Sequence, residues 1–153
     1  MRKFVHSTLS VMPAALAALC VTSTAHAGLG QAVDSVQRDQ ASLQGTLTVT
    51  PMQSYDLHQI TTGNTVVREY VSRAGTVFAV TWSGRSGPDL SMILGARYAD
   101  YSKAATIHRG NHKVFSLTTD DLVMHVTKLP RALVGEAHAP TLFPAGVTAR
   151  DIR

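Results

Sequence analysis

Short stretches of alternating apolar and polar residues fill positions 55–138 and are separated by turn-forming residues. This pattern is typical of an antiparallel β-sheet. Gly63-Asn64 supplies residues that tolerate positive φ, as a tight hairpin turn requires. We predict six strands: Tyr55–Thr61, Thr65–Val71, Thr76–Trp82, His112–Thr118, Leu122–Lys128 and Arg131–His138.

Between the third and fourth predicted strands the apolar spacing changes to that of a helix. Pro88 suits a first helical turn, and Asp89 complements the helix dipole there. The apolar stripe comprises Leu90, Ile93, Leu94, Tyr98, Tyr101 and Ala105. Three strands, one helix and three strands predict an α+β fold, with an antiparallel sheet packed on one main helix.

The third predicted strand supplies the expected partner for that helix. Phe78, Val80 and Trp82 alternate along it and therefore share one face. We expect these three side chains to pack against the helix stripe.

Residues 28–53 are small and polar, and we predict a loosely ordered arm with a short helical turn near Asp34–Gln40. A single domain then occupies residues 54–153. Its first strand, Tyr55–Thr61, would lie at an edge of the sheet, where backbone groups lack partners. We expect the arm or the C-terminal tail, Thr141–Arg153, to cover this edge; the alternative is pairing with a partner strand, including self-association.

The N-terminus has the three segments of a secretory signal peptide. Basic Arg2 and Lys3 precede an apolar stretch over residues 4–21, and Ala25-His26-Ala27 forms a small-x-small triplet. This order predicts cleavage after Ala27, a periplasmic or secreted protein, and no membrane span in the mature form.

Composition narrows the function classes further. The 153-residue chain has 14 basic and 10 acidic residues, and two of the basic residues belong to the signal peptide. Without a clustered basic face, nucleic acid is not an expected partner. The single cysteine, Cys20, would leave with the signal peptide, which excludes disulfides and thiol catalysis from the mature protein. No cofactor motif is present.

Arg68 and Glu69 are neighbours on the second predicted strand, so their side chains point to opposite faces. Cross-strand ion pairs on the solvent-facing side are the ordinary explanation for such charges. The alternative is that Arg68 binds an anionic ligand, because guanidinium groups pair well with carboxylates and phosphates. Arg68 is therefore a candidate ligand-binding residue.

Histidines provide a candidate metal site. His108 and His112 have the spacing of two ligands on one helix face, and His125 is a third candidate. Gly110-Asn111 between the first two favours a turn instead, so surface histidines are the ordinary explanation.

A small serine hydrolase is a further alternative, with Ser86 as its nucleophile. Ser86 follows Gly84 by two residues, but Gly87 comes directly after it, unlike the nucleophile-elbow pattern. We therefore assign no catalytic residue, and a non-enzymatic role is favoured.

Several segments resemble a family of exported proteobacterial proteins, domain of unknown function 2844 (DUF2844). They are residues 63–82, Gly87-Pro88-Asp89-Leu90, Phe143-Pro144-Ala145-Gly146-Val147-Thr148 and Asp151-Ile152. The chain departs from the family at 128–139, where Leu129-Pro130 replaces a glycine-led turn. The resemblance implies export and a single domain, and it carries over no catalytic residue. The expected function is an exported module that binds an envelope protein or a small ligand.

Overall fold

The computed structural model describes residues 28–107 and 113–152, and within them seven strands form one antiparallel sheet. The predicted signal peptide, residues 1–27, lies outside the described residues. In chain order the strands are β1 (Thr46–Pro51), β2 (Tyr55–Thr61), β3 (Thr65–Ser72), β4 (Val77–Gly84), β5 (Val114–Thr118), β6 (Val123–Leu129) and β7 (Ala132–His138). Their order across the sheet is β1-β2-β3-β4-β7-β6-β5.

The α+β class is confirmed, but the sheet has a seventh strand that the sequence analysis missed. β1 comes from the segment predicted to be a loosely ordered arm, and it pairs with β2 from Thr46 opposite Thr61 to Pro51 opposite Asp56. Its threonines and valine favour extended structure, although most of its side chains are exposed. β2 is consequently an internal strand, and β1 forms the edge.

The helices differ from the prediction in two places. Residues Asp34–Leu43 form a full helix, α1, where only a short turn was expected. The predicted main helix is divided into α2 (Leu90–Leu94), a 3-10 turn (Gly95–Arg97) and α3 (Tyr98–Ile107). Gly95 adopts a φ of 55° at this division, a conformation that glycine reaches without steric cost.

The helices cover one face of the sheet, here called the helix face. Val36 of α1 and Ile93 and Leu94 of α2 are buried in one cluster with Val80 and Trp82 of β4. Val80 and Trp82 therefore pack toward the helices as predicted.

Phe78 does not join them, because β4 contains a β-bulge. Tyr70 lies opposite Ala79 whereas Val71 lies opposite Val77, so Phe78 is the extra residue. The bulge changes the side-chain alternation and directs Phe78 to the opposite face. The expectation that Phe78 packs on the helix stripe was wrong for this reason.

On that opposite face, the C-terminal tail covers one end of the sheet. Phe78 packs with Tyr55, Tyr70, Phe143 and Ile152. The backbone N–H of Ala139 donates to the Phe78 carbonyl at 3.0 Å and holds the start of the tail there. The rest of this face is here called the open face. No helix in the described ranges is long and apolar enough to cross a membrane.

Candidate functional site

A row of polar residues crosses the open face from one edge strand to the other. Residues directly opposite in antiparallel strands project from the same face, so the register alone places them in line. From β1 to β5 the row is Thr48, Gln59, Arg68, Thr81, Glu136, His125 and Ser116.

Arg68 is positioned by its neighbour in this row. Its Nε–H donates to Gln59 Oε1 at 2.9 Å, and the residue is half-buried. A guanidinium has five N–H donors, so this bond orients the group while leaving most of its donors for other acceptors.

Thr81 lies between Arg68 and Glu136 in the row. It is only 8% exposed, and its Oγ1 has no hydrogen-bond partner among the described residues. A buried hydroxyl without a partner costs about 1–3 kcal/mol. A ligand that accepts or donates a hydrogen bond there would remove this cost.

His125 and Glu136 form the other side of the site. The His125 Nδ1 and the Ser116 hydroxyl lie 3.0 Å apart, which fixes the ring orientation. Glu136 is half-buried and lies directly opposite both Thr81 and His125. The Arg68 guanidinium and the Glu136 carboxylate therefore flank the buried Thr81 hydroxyl.

These residues line a depression of about 310 Å³, here called the open-face site. Ser83, Thr127 and Val134 complete much of its lining. His138 lies two residues beyond Glu136 on β7 and contacts Phe143 with ring centroids 5.2 Å apart. Burial lowers the pKa of His138, and the nearby His125 lowers it further while Glu136 opposes the shift.

The helix face holds a different group of titratable residues, which the sequence analysis missed. Glu69 does not form the expected ion pair on the solvent-facing side. It is fully buried beneath α1, where its carboxyl meets that of Asp39, also fully buried. None of the four carboxyl oxygens receives a hydrogen bond from another described group, so the two carboxyl groups can bond to each other only when at least one of them is protonated.

Burial raises the pKa of both carboxyl groups. For Glu69 the hydrogen bond and the negative charge of Asp39 act in the same direction as burial. For Asp39 burial outweighs the opposing effects of the hydrogen bond to Glu69 and the charge of Arg38. Two carboxylates this close cannot both ionise readily in a dry site.

The structure brings together two of the sequence-derived candidates, Arg68 and His125, around one depression. His108 and His112 lie outside the described residues. Within residues 28–107 and 113–152, no group of three or more potential metal ligands converges. Ser86 is exposed, and its backbone carbonyl accepts a hydrogen bond from Thr65 at 2.6 Å.

Thr81 and Glu136 are site residues that sequence reasoning missed. Alternation already placed each on one face of its strand, but only the pairing of β4 with β7 makes them neighbours. An unusual signal was available for Thr81, because it is the one polar residue in the run from Val77 to Trp82 of β4.

An antiparallel sheet with helices on one face and a polar depression on the other defines an α+β protein with an open sheet face. The family model described as "Protein of unknown function (DUF2844)" matches residues 25–152, and the chain belongs to this family. Neither a curated protein nor a solved structure matches the chain.

Proposed function

We propose that the protein is an exported, non-enzymatic binding module that holds a small anionic ligand in the open-face site. The observation that carries this proposal is the buried, unpartnered Thr81 hydroxyl beside Arg68. Proteins rarely leave such a group unsatisfied unless water or a ligand completes it.

The side chains around Thr81 specify the ligand chemistry. The Arg68 guanidinium suits a carboxylate or phosphate, which it can contact through two parallel N–H bonds. Thr81 adds a donor or acceptor, and Glu136 accepts from a hydroxyl or amine of the ligand. A depression of about 310 Å³ is at the small end of ligand sites, so the ligand is a small polar molecule.

The test is an NMR titration of the ¹⁵N-labelled protein with succinate and, separately, with inorganic phosphate at constant ionic strength. We expect saturable amide shifts around positions 68, 81 and 136 with at least one probe. Comparing the two distinguishes a carboxylate site from a phosphate site.

Three variants decide whether the shifts come from the open-face site. Arg68→Gln and Thr81→Val should each weaken binding by about tenfold or more, a loss typical of charged or buried hydrogen bonds. Arg131→Gln removes an exposed positive charge from the β6–β7 turn and should bind as the parent does. Absence of shifts with both probes, or equal affinity in Arg68→Gln, contradicts the proposal.

A further inference from the structure

β1 is an edge strand whose outer side no other described strand covers. Val49 on this strand is 50% exposed, and Met52 just after it is 39% exposed. No residue between 40 and 55 is charged or a histidine. Natural edge strands usually carry lysines or other charges that prevent pairing with another chain, and β1 lacks them.

The hairpin between β1 and β2 determines which backbone groups of β1 point outward. The N–H of Met52 donates to the carbonyl of Tyr55 at 2.9 Å. Because hydrogen-bonded residues alternate along an antiparallel strand, Thr46, Thr48 and Thr50 face β2. Leu47, Val49 and Pro51 therefore direct their backbone groups away from the sheet.

This outer edge is complementary to a second copy of itself. We propose that two copies of the chain pair antiparallel through β1, about a twofold axis at Val49. The two Val49 residues then exchange both of their N–H···O bonds, and each Leu47 N–H donates to the Pro51 carbonyl of the other copy. Pro51 has no N–H to return this bond, so the Leu47 carbonyl at each end of the pairing is left to water.

The side chains agree with the same register. Thr48 of one copy lies opposite Thr50 of the other on the open face, and threonine pairs are favourable across strands. The two Val49 side chains meet on the helix face. The twofold axis places Val49 beside its own copy, so a charge at this position would face a like charge, and β1 has none.

The pairing is independent of the proposed ligand site. Arg68 lies on β3, two strands away from β1, so loss of either property leaves the other measurable.

Sedimentation of the purified protein over a range of concentrations tests this inference. We expect a monomer–dimer equilibrium. Val49→Lys should raise the dimer dissociation constant by roughly tenfold or more, because two lysines would face each other across the axis. Mixing Val49→Lys with Val49→Glu should restore the dimer by replacing repulsion with attraction.

Val114→Lys is the matched control. Val114 is also a valine on an edge strand, β5, and it is 52% exposed. The Val114→Lys variant should leave the dimer dissociation constant unchanged. Should Val49→Lys fail to fold, Val49→Pro removes the outward N–H without adding a charge, keeps the bonds to β2, and should also give monomers. A monomeric parent at every concentration, or a dimer sensitive to Val114→Lys and not to Val49→Lys, overturns the proposal.

Discussion

At the scale of single residues, the buried pair of Glu69 and Asp39 makes the free energy of unfolding depend on pH. Folding transfers both carboxyl groups from water to a site where neither forms an ion pair with another described residue, and the nearby charge of Arg38 does not offset the burial of Asp39. The raised pKa of each group means that the folded state retains protons that the unfolded chain has already released. Stability is therefore highest at acidic pH, as far as this pair is concerned, and falls as pH rises above about 4.

Glu69→Gln should reduce this pH dependence. The amide keeps the shape of the side chain and can donate to Asp39, so one of the two linked protons is no longer needed. Each such proton contributes a slope of up to about 1.4 kcal/mol per pH unit. We expect urea unfolding between pH 5 and pH 8 to show a smaller loss of stability in Glu69→Gln than in the parent.

Asp120→Asn is the control for this experiment, since it also replaces a carboxylate by its amide, at an exposed position between β5 and β6, and should keep the parental slope. His58 lies opposite Glu69 on β2, and burial lowers its pKa. The lowered pKa of His58 makes the protein less stable as pH falls, whereas the raised pKa values of the two carboxyl groups make it more stable. His58 is present in all three proteins. Equal slopes in the parent and Glu69→Gln would show that Glu69 does not hold an extra proton.

At the scale of elements, the bulge in β4 decides how the C-terminal tail is attached. Phe78 is fully buried, and its ring lies 5.7 Å from that of Tyr55 and 5.2 Å from that of Phe143. The same strand thus supplies Trp82 to the helix face and Phe78 to the tail. The tail in turn closes one end of the open face and leaves the open-face site uncovered.

Phe78→Ala should destabilise the protein by about 3–5 kcal/mol, the usual range for a fully buried phenylalanine. Amide hydrogen exchange should show the greatest local loss of protection in residues 139–152, and less in α2. Val80→Ala, on the helix face of the same strand, should spare the tail. If Phe78→Ala lowers the free energy of unfolding by less than about 1 kcal/mol, or if amide exchange becomes faster in α2 and not in the tail, the ring packs elsewhere.

At the scale of the whole molecule, export is the property that the chain's first residues predict. Arg2, Lys3, the apolar segment and the Ala25-His26-Ala27 triplet follow the order that signal peptidase substrates share. Leu29, two residues after the predicted cleavage point, is fully buried, and its N–H donates to Ile93. Residues directly after the predicted cleavage point are therefore already part of the fold.

N-terminal sequencing of protein isolated from the periplasm or the medium should begin at Gly28. The small side chains at Ala25 and Ala27 suit the peptidase, so Ala27→Leu should block processing and leave a larger species. Retention of Met1 on a membrane-bound form of the parent would contradict this prediction.

Local pattern alone was sufficient for six of the strands, for the helical segment after Pro88 and for the opposite directions of Arg68 and Glu69. These properties depend on side-chain alternation, glycine and proline positions and helical spacing, which neighbouring residues determine. β1 was not predicted, because an exposed edge strand lacks a buried apolar face and its sequence therefore resembles that of a polar arm.

Only the tertiary structure determined which residues from distant segments of the chain become neighbours. Strand order joined Arg68 and Thr81 to Glu136 and His125, because β7 pairs with β4 across more than fifty residues of sequence. The bulge at Phe78 reversed a side chain that alternation had assigned to the helices. The site of Asp39 and Glu69 arose where α1 covers the helix face and brings Asp39 to Glu69 of β3. Such long-range pairings depend on the packing of the whole sheet and helix layer, which no local window of the sequence contains.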